Sequence, residues 1–403
     1  MTGPDVPVQF GRALRPLWGL DEGLTFLNHG SFGAVPLALL DRAAEFRREL
    51  ERNPVEGIWR SGYAAVRASV EQVAAFVGAP PASSGFVTNA TAGLNGVLLS
   101  VPLAPGDEVL HLDQGYYAIW QTLRVVARRR GVEIRKIALP LPVADADALV
   151  DACVAAIGPR TKLIVLDQIT SPTALVLPIR AIVEQARARG VEVVVDGAHS
   201  PGMLDRPAAE APLAAAWTGN LHKWPCALRG CALLSVREDL AADIHAPIVS
   251  HHLDTGLTHE LDWQGTIDPT PWLLAPEAIA FMDRFGGWDR VRAHNHALAR
   301  DAHALLCERL GVEPLSPLDG SLLGSMATVR LPDALQPEAD ARTAEQLQAQ
   351  LLAEHRIELP MFDYAGVRYL RISSHVYNEL DEYARLADAL LGPCQPRPQA
   401  PRS

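Results

Sequence analysis

The chain has 403 residues, a formal net charge of −11 and 48% hydrophobic residues, and its length predicts about two domains. The acidic balance argues against a nucleic-acid-binding protein, which usually carries a basic face. Its five cysteines form no CxxC pair, so the sequence predicts neither a disulfide framework nor a metal site. We see no secretory signal, membrane-length apolar run or basic amphipathic stretch, and we expect a cytoplasmic protein without membrane or nucleic-acid partners.

Between residues 85 and 236, short apolar runs alternate with amphipathic stretches, a pattern typical of βα units around a mostly parallel sheet. The run before Asp196 is rich in valine and begins after Gly190, as expected for a strand that is buried on both faces. We predict strands at 108–112, 132–137, 163–167 and 191–195, and helices at 119–130, 146–157 and 179–189.

After residue 276 the pattern changes to a smaller α+β module. We predict helices at 277–285, 291–310, 344–354 and 379–391, and strands at 327–331 and 368–373. The chain is therefore divided into an N-terminal segment (1–22), a large domain (23–275), a small C-terminal domain (276–392) and a disordered tail (393–403).

Polar residues follow several predicted strands, at the edge where open α/β sheets bind ligands. Small and hydroxyl residues at 88–95 open a predicted helix, and backbone N–H groups together with Thr91 suit a phosphate there. A simple N-cap by Thr91 explains the same residues. Tyr116 follows the strand at 108–112 and is placed either to stack on a flat ring or to pack. Residues 167–173 form a third polar loop.

Asp196 ends the most apolar strand, and a buried aspartate requires a cation or a hydrogen-bond donor. A protonated pyridine nitrogen is such a partner. Lys223 follows on what we interpret as a tight turn at 218–225, in a chain with few lysines. Pyridoxal 5'-phosphate (PLP) needs a lysine for covalent attachment and an acidic partner for its ring nitrogen. The pair therefore predicts a PLP enzyme, and a solvated surface lysine is the alternative.

These motifs resemble those of the class V branch of the fold type I PLP enzymes, and they are most similar to the isopenicillin N epimerase-like group. The resemblance implies an α/β fold with a mostly parallel sheet in a large domain and a smaller C-terminal α+β domain. It also implies a homodimer with shared active sites. The matching stretches are Leu27–Gly33, Asn89–Asn95, Ile169–Thr173, Asp196–His199, Asn220–Trp224, Trp263–Thr266, Arg371–Ser373 and Val376–Asn378.

The resemblance implies that PLP is the cofactor and assigns residues to it. Lys223 is expected to bind PLP covalently and to shuttle protons, and Asp196 to hold the ring nitrogen. Tyr116 is expected to stack on the ring. His199 is expected near the phenolic oxygen, although a helix cap is an alternative. The phosphate is assigned to Ala90, Thr91, Asn220 and His222, with Thr266 contributed by a neighbouring subunit.

The resemblance also implies an amino-acid substrate. Arg371 is expected to hold its carboxylate by a bidentate contact, with a structural ion pair as the alternative. Asn28 and His29 are further candidates for substrate binding. Two positions depart from the family pattern: Arg229 introduces a positive charge after the lysine, and the pair Tyr116–Tyr117 leaves open which ring stacks.

PLP supports several reactions, and the fold does not choose among them. Residues 357–367, before Arg371, contain no cysteine, which argues against sulfur abstraction through a persulfide. We expect epimerisation at the α-carbon, with Lys223 as one base and His29 or Tyr116 as the second. A C–S β-lyase and an aminotransferase are the alternatives, and a non-catalytic scaffold is a hypothesis of another class.

Overall fold

The computed structural model describes residues 8–392, and the predicted tail at 393–403 lies outside that range. The strands are β1 (Thr25–Phe26), β2 (Ser84–Val87), β3 (Glu108–Leu112), β4 (Glu133–Ile137), β5 (Thr161–Asp167), β6 (Glu192–Asp196), β7 (Ala216–Asn220), β8 (Ala232–Val236), β9 (Met326–Arg330), β10 (Ile357–Glu358), β11 (Met361–Tyr364) and β12 (Val367–Ser373). The α-helices are α1 (His29–Phe32), α2 (Leu37–Leu50), α3 (Gly62–Val77), α4 (Ala90–Ser100), α5 (Tyr117–Arg130), α6 (Ala146–Ala155), α7 (Ile179–Ala188), α8 (Leu257–Asp262), α9 (Thr270–Leu273), α10 (Ala275–Ala280), α11 (Trp288–Leu310), α12 (Ala344–His355) and α13 (Leu380–Leu391).

Seven strands form the main sheet, in the order β2-β8-β7-β6-β5-β3-β4. Strand β8 runs antiparallel to β2 and β7, whereas the other neighbours pair in parallel. Val193 and Val195 pack into one hydrophobic cluster and Val194 into another, because successive side chains of a strand point to opposite faces. Helices cover both faces of the sheet, so the side chains on both faces of these strands are buried. Such strands require a continuous apolar run in the sequence.

The ligand-binding edge of this sheet lies at the carboxyl ends of β2, β3, β5, β6 and β7. These strands run in the same direction, so the loops that follow them meet at one edge. In doubly wound sheets this edge is where ligands bind. The predicted polar loops after Val87, Leu112, Asp167 and Asp196 therefore converge, together with the loop that carries Lys223.

A second core forms around the three-stranded antiparallel sheet β11-β12-β9. Helices α11, α12 and α13 contribute Leu306, Leu351 and Leu386 to this core. Strand β1, near the beginning of the chain, pairs in parallel with β10, and the neighbouring Leu27 is buried in the same core. The domain limits stay a prediction, and β1 packs with C-terminal elements although it lies inside the predicted large domain.

The described part of the N-terminal segment packs against the C-terminal elements. A 3-10 helix covers Arg12–Leu17, and the Gly11 N–H donates to the Val376 carbonyl at 2.8 Å. Trp18 is buried beside Phe285 and Tyr377. Within residues 8–392, none of the helices combines the length and the apolar character that a membrane span requires.

Our interpretation of residues 218–225 as a tight turn is wrong for its first three residues, which belong to β7. Gly219 serves close packing rather than a turn, because a Cβ there would lie 2.6 Å from Pro201 Cγ and would also collide with the Trp217 ring. Lys223 therefore lies on the loop that leaves β7. The predicted helix at 277–285 is also divided, into α10 and a 3-10 helix at Phe281–Phe285.

Candidate active site

A cavity of about 480 Å³ lies at the carboxyl edge of the main sheet. Its wall gathers residues from five separate loops, as the strand directions require. Ser31, Asp167, Ser171 and Arg229 also contribute to the wall. The predicted cofactor residues that line it are Ala90, Thr91, Tyr116, Asp196, His199, Asn220, His222 and Lys223.

The Lys223 amine is buried within this wall, and its Nζ lies 3.1 Å from His199 Nε2. Burial lowers the pKa of Lys223 from 10.5 to about 7, and the Arg371 charge adds to the lowering while Asp196 and Asp167 oppose it. The pKa of His199 is also lowered by burial and by the Lys223 charge. Lys223 is therefore a nucleophilic amine near neutral pH, which a covalent aldehyde cofactor requires.

We expect the cofactor-free protein to capture an aldehyde with a rate that rises as pH passes about 7. Only the neutral amine attacks a carbonyl carbon, and a lowered pKa shifts its appearance from above pH 10 to near neutrality. Stopped-flow absorbance after mixing with PLP between pH 5.5 and 9 measures this rate. An inflection that appears only near pH 10 would contradict the lowered pKa of Lys223.

Two carboxylates lie side by side on this wall. Asp167 and Asp196 are partners in register at the ends of the parallel strands β5 and β6. The Ala198 N–H donates to Asp196 Oδ1 at 2.9 Å. Burial raises the pKa of Asp196 to about 6, although the Ala198 N–H and Lys223 oppose the rise. A cationic ring nitrogen would stabilise the charged form of this carboxylate.

Asp167 was not among the site residues that we predicted, although Asp167, like Asp196, ends an apolar strand. Burial and the neighbouring Asp196 raise the pKa of Asp167 well above its usual range. Its Oδ2 is buried without a hydrogen-bond partner among the described residues. The pair therefore favours a state with a single negative charge, since two adjacent buried carboxylates resist double ionisation.

The start of α4 forms another part of the wall. The side chain of Asn89 accepts a hydrogen bond from the Ala92 N–H at 2.9 Å, so Asn89, and not Thr91, caps this helix. Asn220 Oδ1 accepts from the Ala90 N–H at 2.9 Å, which ties the end of β7 to α4. Thr91 is thereby free of the capping role and lines the cavity at a helix N-terminus, a place that suits phosphate.

His222 completes this region. Burial lowers its pKa to about 4, and the Lys223 charge contributes to the lowering. The imidazole is therefore neutral at neutral pH, and its buried Nδ1 lacks a hydrogen-bond partner among residues 8–392. A neutral ring of this kind supplies one donor to a ligand oxygen, in the tautomer that the ligand selects.

The two tyrosines after β3 have different surroundings. Tyr116 lines the cavity, whereas Tyr117 lines only a second, adjoining cavity. Their exposed fractions are 47% and 68%. Tyr116 is therefore the ring of the pair that lines this cavity, and its stacking on a cofactor stays a prediction.

Arg371 lies on β12, where its guanidinium is buried and reaches the loops of the main sheet. Its Nη2 donates to Ser31 Oγ at 3.0 Å, its Nη1 donates to the Ser171 carbonyl, and its Nε has no partner among the described residues. Burial lowers its pKa to about 10, so it stays charged at neutral pH. It lines a second cavity, which shares Ser31, Tyr116 and Ser171 with the first.

Besides Arg371, three predicted site residues do not line the first cavity. The His29 ring is buried behind Lys223: Nδ1 lies 2.6 Å from the Tyr377 hydroxyl and Nε2 lies 3.0 Å from the Lys223 carbonyl. The Asn28 side chain is engaged by Glu358 and Ser31. The prediction that these two residues bind substrate is therefore not supported by their contacts. Thr266 is exposed on the surface.

Gly33, which directly follows helix α1, lies close behind Lys223. Gly33 has a φ of 59°, and a Cβ at this position would lie 2.7 Å from the Lys223 carbonyl oxygen and would collide with the His222 carbonyl. Both obstacles are backbone atoms, which cannot rotate away. Glycine is therefore required here by close approach as well as by φ.

We expect Gly33→Ala to lower the free energy of unfolding by at least about 2 kcal/mol, because it adds a backbone collision to the cost of a positive φ. Gly23→Ala is the matched control, since Gly23 has a φ of 73° and a Cβ there would meet no heavy atom of the described residues within 4 Å; it should cost only about 1–2 kcal/mol. Urea unfolding of both variants measures the difference. Equal destabilisation would show that the close approach to Lys223 contributes nothing.

The family model described as Aminotransferase class-V matches residues 28–386. The chain belongs to the class V aminotransferase family. Isopenicillin N epimerase from Amycolatopsis lactamdurans is 35% identical, with 92% of this chain and 95% of that protein covered. Putative L-cysteine desulfhydrase 1 from Oryza sativa subsp. japonica is 32% identical, with 92% and 83% covered.

A solved structure of a C-DES mutant, with glycine covalently linked to its PLP cofactor, has a TM-score of 0.76 and 20% identity, and the match covers 94% of this chain and 99% of that one. The similarity confirms the predicted fold type I architecture of this member of the class V aminotransferase family. It also agrees with the sheet described above, which is parallel except for β8.

PLP is the cofactor of this member of the class V aminotransferase family, and the cavity fits it. Asp167 Oδ2 and His222 Nδ1 are buried wall atoms that lack partners among the described residues, and a polar ligand would complete them. When bound, PLP withdraws electrons from the α-carbon of an amino acid and so makes its proton acidic. Lys223, Asp196, Thr91, His222 and Tyr116 are the residues that would hold it.

Proposed function

We propose that this PLP enzyme epimerises an amino-acid substrate at the α-carbon. The observation that carries the proposal is the buried Lys223 amine, whose lowered pKa makes it a base near neutral pH. Similarity to the isopenicillin N epimerase at 35% identity over nearly the whole chain supports the same reaction type. The enzyme and its cofactor are established by the family, and the reaction is our inference.

Four residues of the site have the following roles in this proposal. Arg371 binds the substrate carboxylate, which fixes the α-carbon relative to Lys223. Lys223 removes the α-proton, and His199, 3.1 Å from its Nζ, orients the amine. Asp196 would hold the ring nitrogen of bound PLP through its negative charge.

Epimerisation also needs a group that returns a proton to the opposite face. Of our two candidates, His29 is buried behind Lys223, whereas Tyr116 lines the cavity. We therefore assign the second proton transfer to the Tyr116 hydroxyl. A tyrosine can serve as a general acid when it is within hydrogen-bond reach of the reacting carbon.

Elimination at a C–S bond is the second candidate. Elimination requires a base on one face of the substrate only, and Lys223 provides it. The burial of His29 outside the cavity is compatible with a single base. The desulfhydrase from Oryza sativa, at 32% identity, supports this alternative. Transamination, in which an amino group is transferred to a keto acid, is the third.

One experiment separates these reactions. The holoenzyme is incubated with L-amino acids in deuterated water, while α-proton exchange, the D-isomer and keto acids are monitored. Deuterium incorporation with D-isomer and without keto acid is the expected result. Release of pyruvate from an S-substituted cysteine would show that the reaction is β-elimination and not epimerisation. A requirement for an added keto acid would show that it is transamination.

We also propose a homodimer, in line with the predicted sharing of active sites. Thr266 is exposed, and the partly exposed Trp59 ring lies 4.9 Å from Trp263 in the same region. An exposed aromatic cluster of this kind is typical of an interface. Contribution of Thr266 to the partner's phosphate site and a cytoplasmic location stay predictions.

A further inference from the structure

A second cavity of about 490 Å³ adjoins the cofactor cavity. The two share Ser31, Tyr116 and Ser171 as wall residues. Arg371 lines the second cavity and donates to both serines. A substrate whose carboxylate is held by Arg371 therefore has space for its side chain in this second cavity.

The apolar part of this cavity comes from β11, the edge strand of the small sheet. Phe362 is the register partner of Tyr369 and Tyr364 that of Val367, and side chains two residues apart share a face. Phe362 and Tyr364 therefore lie on the same face of the sheet as Arg371. The Phe362 and Tyr369 rings stack with centroids 5.8 Å apart, which fixes this aromatic wall.

The polar part of the cavity contains two carboxylates, Asp113 and Asp363, besides Arg371. The Tyr364 hydroxyl donates to Asp113 Oδ2 at 2.6 Å, which joins the small sheet to the loop after β3. Asp113 Oδ1 is buried and has no hydrogen-bond partner among the described residues. Asp363, the other carboxylate of this wall, is engaged by Arg368 at 2.8 Å. Asp113 is therefore the wall carboxylate that retains a buried, unshared acceptor.

We propose that this second cavity binds the substrate side chain and that it selects amino acids whose extended side chain ends in a positively charged group. The Asp113 carboxylate lies on the cavity wall and attracts that group by its negative charge, and charge-assisted contacts of this type are among the strongest in proteins. The faces of Phe362 and Tyr364 attract a cation through their π electrons. A cavity of about 490 Å³ has the size that proteins use for ligands well beyond a cysteine side chain.

This inference rests on the proposed α-carbon chemistry, but it does not depend on which reaction follows proton removal. The test therefore measures α-proton exchange in deuterated water by the holoenzyme. S-(2-aminoethyl)-L-cysteine, S-propyl-L-cysteine and S-carboxymethyl-L-cysteine carry a cationic, a neutral and an anionic end on side chains of similar length. L-Cysteine serves as the small substrate.

We expect kcat/KM for exchange to be highest for the aminoethyl compound, by at least about tenfold over the propyl compound, because an interaction with a charged group is stronger than one with a neutral group. Asp113→Asn should remove this preference mainly through KM, while exchange of the propyl compound changes little. Asp151→Asn is the matched control, since it deletes one negative charge at an exposed position of α6 and should leave the preference intact.

The outcomes separate this inference from the proposed function. Equal or faster exchange of L-cysteine or of the carboxymethyl compound would overturn the cationic selectivity and leave the α-carbon chemistry standing. An unchanged preference in Asp113→Asn would overturn the role of Asp113. If the holoenzyme exchanges no compound, although each shifts the cofactor absorbance on binding, the proposed function fails instead. Such shifts also report whether Asp113→Asn still folds and binds PLP.

Discussion

Lys223→Ala is expected to abolish catalysis and the covalent attachment of the cofactor together. The side chain that we assign to the α-proton is the same one that we assign to the PLP aldehyde, so one substitution removes both. We expect α-proton exchange to fall by at least about 10⁴-fold, since a nucleophile and a general base are lost at once. The absorbance band of the lysine-bound cofactor should disappear, and borohydride should no longer fix PLP to the chain.

Lys162→Ala is the matched control for this result. Lys162 is an exposed residue of β5, on a strand that contributes Asp167 to the site. Its loss should leave the colour, borohydride labelling and exchange rate unchanged. A Lys223→Ala protein that still becomes labelled by PLP and borohydride would show that another amine carries the cofactor. A non-catalytic scaffold would show no colour in either protein.

Tyr116→Phe is expected to separate proton removal from inversion. The substitution keeps the ring that we expect to stack on the cofactor and removes the hydroxyl that we assign to the opposite face. Formation of the D-isomer should fall by about 10²–10⁴-fold, the range for loss of a general acid or base. Exchange of the α-proton of the L-isomer should persist, because Lys223 is untouched. Chiral chromatography and deuterium incorporation measure the two rates in one sample.

Tyr117→Phe provides the comparison, since Tyr117 is adjacent, more exposed and outside the cofactor cavity. Its effect on D-isomer formation should be small. If Tyr116→Phe forms the D-isomer at the wild-type rate, the hydroxyl does not transfer the second proton. If both rates fall equally, Tyr116 positions the cofactor and does not act as a separate acid.

The alternation of apolar runs and amphipathic stretches was sufficient to predict most of the main sheet. The predicted strand at 108–112 coincides with β3, and those at 163–167 and 191–195 differ from β5 and β6 by one or two residues. The prediction succeeded there because strands buried on both faces need continuous apolar runs. It gave no strand for β2, β7 or β8, and the residues Thr218, Gly219 and Asn220 of β7 are typical of a turn. Burial in the sheet overrides that local preference.

Prediction of the candidate site from the sequence was limited in the same way by tertiary contacts. Tyr116 and Asp196 were predictable because each lies at or just beyond the end of a predicted strand, and the sheet edge determines that position. His29 was not, since its burial behind Lys223 depends on a contact between residues nearly two hundred positions apart. The second cavity was also hidden, because it forms where β11 approaches the loop after β3, and no single stretch of sequence contains both.

The pairing of β1 with β10 has a consequence for the biosynthesis of this enzyme. Thr25 and Phe26 are separated from their partners Ile357 and Glu358 by most of the chain, yet they lead directly into the loop whose Gly33 backs Lys223. During vectorial synthesis the N-terminal part of the chain emerges first, but this strand pair cannot form until residue 358 has left the ribosome. We therefore expect the strand pair that precedes the support behind the lysine to be among the last features to form.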